Sequence, residues 1–217
     1  MGVDYFLSSS TLDPSKGLRI RKLARLRRMV MEPVTGPGGR IGGEGVVVFL
    51  NDVAACGEDV LELVMQREAQ EADMVCAMDW TPPSPPPSFP LPPTFYDVWI
   101  SRSLLGSLLF HIPPATTSWA HSQTLFPDHP PSHSRFTSGL PTQVFSCWNG
   151  AAVFLASPLV KGQVAFRWPR VGECYQGEVQ LLCKDLIEWQ REPPEKVLCV
   201  PEFSEQRWLP WNESMEY

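Results

Sequence analysis

The sequence predicts an α/β domain, an open sheet flanked by helices and broken by long proline-rich loops. Three observations carry this. A strand-helix-strand alternation spans 46–80; the 217 residues are 43% hydrophobic and 19% charged, a globular balance; and the 23 prolines cluster, eight at 82–93 and six at 113–141. The middle of the chain therefore reads as loop, and the length suits a single domain.

In chain order, seven basic residues fall within 16–28 while Leu23, Leu26 and Val30 recur at helical spacing. Residues 19–32 read as an amphipathic basic helix stopping before Pro33. Its charges read first as a solvated face and only second as a phosphate-contacting or targeting surface. After a glycine-rich loop, Val46-Val47-Val48-Phe49-Leu50 is a continuous apolar run of buried-strand type. Gly57-Glu58-Asp59 opens a helix with its acids in the first turn, and Val60, Leu61 and Val64 supply its apolar stripe. A second apolar run at 73–78 completes a unit whose right-handed crossover would make the two strands parallel. Residues 80–93 read as an insertion loop. Strand-like runs follow at 95–101, 143–148, 152–155, 164–168 and 197–200, with a helix at 177–190.

The balance of 18 Lys+Arg against 24 Asp+Glu, net charge -6, excludes a chain that wraps nucleic acid through bulk charge. No run approaches the roughly 18 apolar residues of a membrane helix, and residues 1–15 have neither the basic start nor the apolar middle of a leader. The chain as written is expected to be soluble, and cytoplasmic if complete. Its six cysteines, Cys56, Cys76, Cys147, Cys174, Cys183 and Cys199, form no CxxC pair, and its four histidines have no zinc spacing. Buried free thiols are expected ahead of disulfides.

The candidate chemistry sits at strand and helix ends. Asp52 and Asp79 each follow an apolar run, where open α/β sheets bind ligands. Asn51-Asp52 suits Mn²⁺ or Mg²⁺ holding a diphosphate, although an Asp after a strand is more often a turn or capping residue. Glu178 opens the last helix, usually as a dipole partner. Trp148-Asn149-Gly150 offers an aromatic face for a sugar ring and an amide for its hydroxyls, against a core Trp before a turn at even odds.

The ordered strings Phe49-Leu50-Asn51-Asp52-Val53, Glu58-Asp59-Val60-Leu61-Glu62-Leu63 and Ala72-Asp73-Met74-Val75-Cys76-Ala77-Met78-Asp79-Trp80 resemble the fungal capsule-associated α-1,3-mannosyltransferase family, glycosyltransferase family 69. Phe95-Tyr96-Asp97-Val98-Trp99-Ile100-Ser101-Arg102, Gln143-Val144-Phe145-Ser146-Cys147-Trp148-Asn149-Gly150, Glu173-Cys174-Tyr175-Gln176-Gly177-Glu178 and Leu182-Cys183-Lys184-Asp185-Leu186 continue it in order. The resemblance implies a GT-A-like Rossmann-type sheet, a GDP-mannose donor, a glycan acceptor, a divalent cation (Mn²⁺ or Mg²⁺) and transfer with retention. It implies that Asn51 and Asp52 hold the cofactor, with Asp52 the metal ligand. Asp79 and Glu178 would be the catalytic carboxylates, Glu178 on the acceptor side, and Trp148, Asn149 and Asp97 would bind substrate. It also implies a Golgi or secretory-pathway location.

Within this scheme the single domain divides into a basic helix (16–32), a β-α-β core (46–80), a proline-rich insertion (81–93), an acceptor-side half (94–202) and a tail (203–217). Relatives of this kind usually carry a membrane anchor and an extended first strand region before the basic helix. The chain is accordingly expected to be N-terminally truncated and feeble as a transferase. The rival expectation is an inactive remnant that binds glycan or protein through Trp148 and a polyproline segment.

Overall fold

The computed structural model describes residues 5–13, 17–36, 44–51, 53–81, 93–111 and 124–189. Among these, helices α1 (Arg19–Thr35), α2 (Gly57–Ala69), α3 (Pro130–Thr137), α4 (Ser157–Val160) and α5 (Glu178–Trp189) alternate with short strands. The strands are β1 (Val46–Leu50), β2 (Met74–Cys76), β3 (Trp80–Thr81), β4 (Thr94–Phe95), β5 (Arg102–Ser103), β6 (Val144–Ser146) and β7 (Ala151–Leu155).

The fold is mixed α/β, but the expected parallel ladder is replaced. The main sheet has the order β1-β7-β2, and both outer strands run antiparallel to β7, with Val48 opposite Val153 and Val75 opposite the same residue. Thus β1 and β2 share a direction, as expected of the unit around α2, yet β7 lies between them. The reason is burial. Ala151, Ala152, Val153 and Phe154 of β7 are all buried, which only a strand covered on both faces allows. In β1, Val48 and Leu50 stay exposed, so its apolar run belongs to an edge strand.

Two-stranded ribbons β3-β4 and β5-β6 lie outside this sheet. The expected strand over 95–101 is instead a turn between β4 and β5, and 164–168 is irregular chain that still buries Val164 and Phe166. The expected strand at 197–200 lies outside the described residues. Two helices were not expected: α4, and α3, which forms in the proline-rich middle with prolines in its first turn and the His129 ring accepting from the Ser132 N–H.

The core has two parts. The larger joins Phe154 and Ala152 of β7, Val47 of β1 and Trp148 to Met31, Leu159, Leu182 and Leu186 of α1, α4 and α5. By strand alternation Ala151 and Val153 face the other way, where α2 packs on β2 and β7. The smaller part is aromatic, with Phe95, Phe110 and Phe126 at its centre and Trp80 and Phe136 at its edge.

Each amphipathic helix keeps two residues of its expected stripe on the packed side, Leu23 and Leu26 on α1 and Val60 and Val64 on α2, and departs from it at one. On α1, Ala24 and Met31 are buried and Val30 is exposed; on α2, Val60, Leu63 and Val64 are half-buried while Leu61 faces solvent. Helix α1 also carries Pro33 inside its last turn and ends at Gly36. The expectation of free thiols is corrected too: Cys76 and Cys147 form a disulfide across 71 residues, and Cys174 is disulfide-bonded as well. The sheet sets the end of β2 beside the end of β6, a proximity that spacing along the chain does not encode. Cys56 and Cys183 are free, and burial pushes the Cys183 thiol up to about 11.

Candidate functional site

A cleft of about 340 Å³ opens where β1 and β2 end. Its walls are residues 53–55 after β1, one face of α2, residues 77–79 after β2, and Asn149 with Ala151 at the entry to β7. Three carboxylates line it, Asp59, Glu62 and Asp79, and the described lining includes no Lys, Arg or His. Asp59 accepts the Cys56 N–H at 2.8 Å and so caps α2, while Glu62 accepts from the Gln66 amide at 2.7 Å. The Asp79 carbonyl accepts the Tyr96 N–H at 3.0 Å.

Asn149 and Gly150 have φ of 49 and 80, two successive left-handed residues. Asn-Gly is the pair that tolerates this, and here it swings the chain from β6 into β7. The Asn149 amide donates to the Ala77 carbonyl at 2.7 Å, and its oxygen accepts from Ser101 Oγ at 2.7 Å. The Gly150 carbonyl accepts the Asn51 N–H at 2.8 Å, and a Cβ at Gly150 would stand 2.2 Å from Val53 Cγ1. Hydrogen bonds and van der Waals contact thus tie both strand ends to this turn, and the Cys76–Cys147 bond adds a covalent tie.

Asp97 is buried behind the same turn. Its Oδ1 accepts the N–H groups of Trp99 and Ile100, each at 3.0 Å, and its Oδ2 lies 3.2 Å from Ser101 Oγ. The Ser101 hydroxyl has one proton to give, and the shorter distance favours Asn149. Asp97 therefore shapes a turn and lies one hydroxyl away from the cleft.

Glu178 and Trp148 occupy the core side instead. Glu178 meets Arg27 Nε at 2.9 Å, and the side chains of Arg27 and Glu178 are 12% and 4% exposed. The Arg27 guanidinium lies 4.4 Å from the centre of the Trp148 ring and 5.4 Å from that of Phe49. Burial lowers the Arg27 pKa, and the charge of Glu178 opposes that shift. Trp148 is 1% exposed, packed among Phe49, Phe154 and Phe166 at ring separations of 5.0–6.2 Å. Trp148 Nε1 and Arg27 Nη1 are buried without a hydrogen-bond partner.

A second ionic group braces the approach to α5. Arg167 bonds Asp185 through Nε and Nη2 at 2.7 and 2.6 Å and Glu173 through Nη1 and Nη2, while Lys184 reaches Glu173 at 2.9 Å. Hydrogen bonds from Arg167 hold Glu173 well below the usual carboxylate range.

Of the residues nominated from sequence, Asp79 and Asn149 share the cleft and Asp97 joins them through Ser101, whereas Glu178 and Trp148 lie behind them. Asn51 is exposed, with its N–H on Gly150. Asp52 lies outside the described residues, and among those described no group of three His, Cys, Asp or Glu could hold a metal ion. The cleft carboxylates therefore make no cation site by themselves. The reading by sequence missed Arg27, Ser101 and Glu62. Of these only Arg27 left a signal, its place in line with Ala24 and Met31 on the inward face of α1.

Residues 5–185 match the family model described as Cryptococcal mannosyltransferase 1. The chain belongs to this family. The cleft, the Asn-Gly turn and the Arg27–Glu178 pair all lie within the part of the chain that matches the Cryptococcal mannosyltransferase 1 family. Over 182 residues the chain is 36% identical to alpha-1,3-mannosyltransferase CMT1 of Cryptococcus neoformans var. neoformans serotype D, an alignment covering 81% of this chain and 37% of that protein. The chain thus spans well under half the length of that relative. No solved structure matches it.

Proposed function

We propose that this chain is a retaining mannosyltransferase that moves mannose from GDP-mannose to a hydroxyl of a glycan acceptor in the cleft between β1, β2 and α2. The observation that carries the reading is that Asp79 and Asn149, from separate blocks of the family-matched span, converge on one open cleft at strand ends. Breaking a glycosyl–phosphate bond builds positive charge on the sugar. A lining of carboxylates without cations favours that charge and accepts hydrogen bonds from sugar hydroxyls. Asp79 is the carboxylate we assign to the reacting sugar. Asn149 holds the wall in place through Ala77 and Ser101, and Arg27 keeps Glu178 paired behind it. A cation, Mn²⁺ or Mg²⁺ at Asp52, remains part of the proposal on sequence grounds, and calorimetry of Mn²⁺ binding to wild type and Asp52→Asn tests it. A secretory-pathway location is favoured by the disulfides, which persist in oxidising compartments. Among the described residues no helix is long and apolar enough to cross a membrane.

The test is transfer from radiolabelled GDP-mannose to a manno-oligosaccharide, with the anomeric configuration of the product read by NMR. Asp79→Asn should lower kcat by about 100-fold or more with an unchanged melting curve. Absence of transfer by the wild-type chain, or full activity of Asp79→Asn, overturns the reading.

A further inference from the structure

We infer that Ser101 is a positioning residue of the cleft, its buried hydroxyl fixing the Asn149 amide and through it the wall that ends β2; its effect on transfer rests on the mannosyltransferase reading above. Ser101 is 1% exposed and does not line the cleft, whereas Asn149 and Ala77 do. Ser101 Oγ stands 2.7 Å from Asn149 Oδ1 across 48 residues of sequence, and Asn149 Nδ2 stands 2.7 Å from the Ala77 carbonyl across 72. Three segments distant in the chain thus meet at one amide.

The protons give each group its role. The Ala77 carbonyl can only accept, so it takes a proton of Asn149 Nδ2 and turns the amide oxygen toward Ser101. That oxygen can only accept too, so the Ser101 hydroxyl has to donate to it. The Asp97 carboxylate, at 3.2 Å, is the weaker claimant on the same proton, and its Oδ1 is held by the N–H groups of Trp99 and Ile100. The backbone that carries the hydroxyl is fixed from outside the cleft. The Ile100 carbonyl accepts from Ser146 Oγ at 2.5 Å, the Trp99 carbonyl from the Gln180 amide at 3.2 Å and the Ser101 carbonyl from Arg102 Nη1 at 2.7 Å. On the far side of Asn149 the left-handed turn continues into Gly150, whose carbonyl takes the Asn51 N–H. Without the Ser101 hydroxyl a buried amide oxygen loses its donor, and the turn between the two strand ends is freer to tilt. Displacement by about 1 Å can cost about 100-fold in rate. The Cys76–Cys147 bond limits the tilt, so a smaller loss is expected.

The test is steady-state transfer from GDP-mannose by Ser101→Ala, Asn149→Ala and the double variant, beside hydrogen exchange of the Asn149 side-chain amide read by NMR. Ser101→Ala should lower kcat about tenfold and leave KM for GDP-mannose within about twofold. Because Ser101 acts through Asn149, the double variant should fall no further than Asn149→Ala. Exchange of the Asn149 Nδ2 protons should quicken about tenfold in Ser101→Ala. Ser101→Cys, of nearly the same shape with a weaker donor, should show the same pattern at smaller size, and it reads the bond even where Ser101→Ala does not fold. Transfer by Ser101→Ala at the wild-type rate overturns the positioning role and leaves the enzymatic reading standing, as do losses that multiply in the double variant. If the wild type transfers no mannose, the enzymatic reading fails and amide exchange decides alone: quickened exchange upholds the tie from Ser101 to the cleft wall, and unchanged exchange overturns it.

Discussion

On one face of β7, Arg27 and Glu178 pair at 2.9 Å beneath aromatic rings, nearly shut off from water; on the other, Asp59, Glu62 and Asp79 line a cleft with room for a ligand. The first joins charges 151 residues apart, whereas the second draws its carboxylates from α2 and the neighbouring end of β2. In the first, the charges satisfy each other and the surroundings are apolar, so the pair is part of how α1 and α5 dock. In the second, the carboxylates share a wall whose described lining holds no Lys, Arg or His. The buried pair serves packing, whereas the cleft carboxylates line open space that the proposed function gives to a sugar.

The sharpest way to break this contrast is to remove one member of the buried pair. Arg27→Met should cost about 4 kcal/mol in urea unfolding, because it strands a buried carboxylate. Arg27→Met combined with Glu178→Leu should recover most of that loss, since apolar residues can replace a buried ion pair with little penalty. A cost under 1 kcal/mol for the single variant would mean that Glu178 is wetter than its burial indicates.

Gly150 stands at the seam between the two regions. Gly150→Ala forces a Cβ against Val53 and a side chain onto a left-handed backbone, and should cost about 2 kcal/mol. Transfer activity should fall further than stability explains, because the cleft wall moves.

Acid probes the second ionic group. The folded-state pKa of Glu173 is depressed below its ordinary value of 4.5, chiefly by hydrogen bonds from Arg167. Its contribution is therefore complete above about pH 5 and declines as the pH falls further, since the unfolded chain takes up the proton first. Unfolding free energy should drop by roughly 1 kcal/mol between pH 5 and pH 4, and Arg167→Met should flatten that slope. The smallest effect belongs to the cleft itself. Glu62→Gln should change stability by less than about 0.5 kcal/mol while lowering transfer, and a larger loss of stability would show that the cleft carboxylates also serve packing.

Local pattern made much of this legible. The helices at α1, α2 and α5 follow from periodicity, and the Asp79 and Asn149 blocks follow from ordered motifs. What could not be read was pairing between distant segments. The apolar runs of β1 and β7 look alike in sequence, and only the two small residues Ala151 and Ala152 hint that β7 can be covered on both faces. The Asn-Gly pair was read for its amide and not for its turn, although positive φ is the stronger reason to find those two residues together. Trp148 offered an even choice between pocket and core, and the ring contacts put it in the core.

The Cys76–Cys147 bond closes a covalent ring around everything between those residues, including the proline-rich insertion at 81–93. A protease that cuts once inside the ring leaves a single molecule whose halves part only on reduction. On a non-reducing gel such a nicked chain runs as one band, and with dithiothreitol it runs as two. The same bond holds the end of β2 to the end of β6 whatever the length of the chain between them.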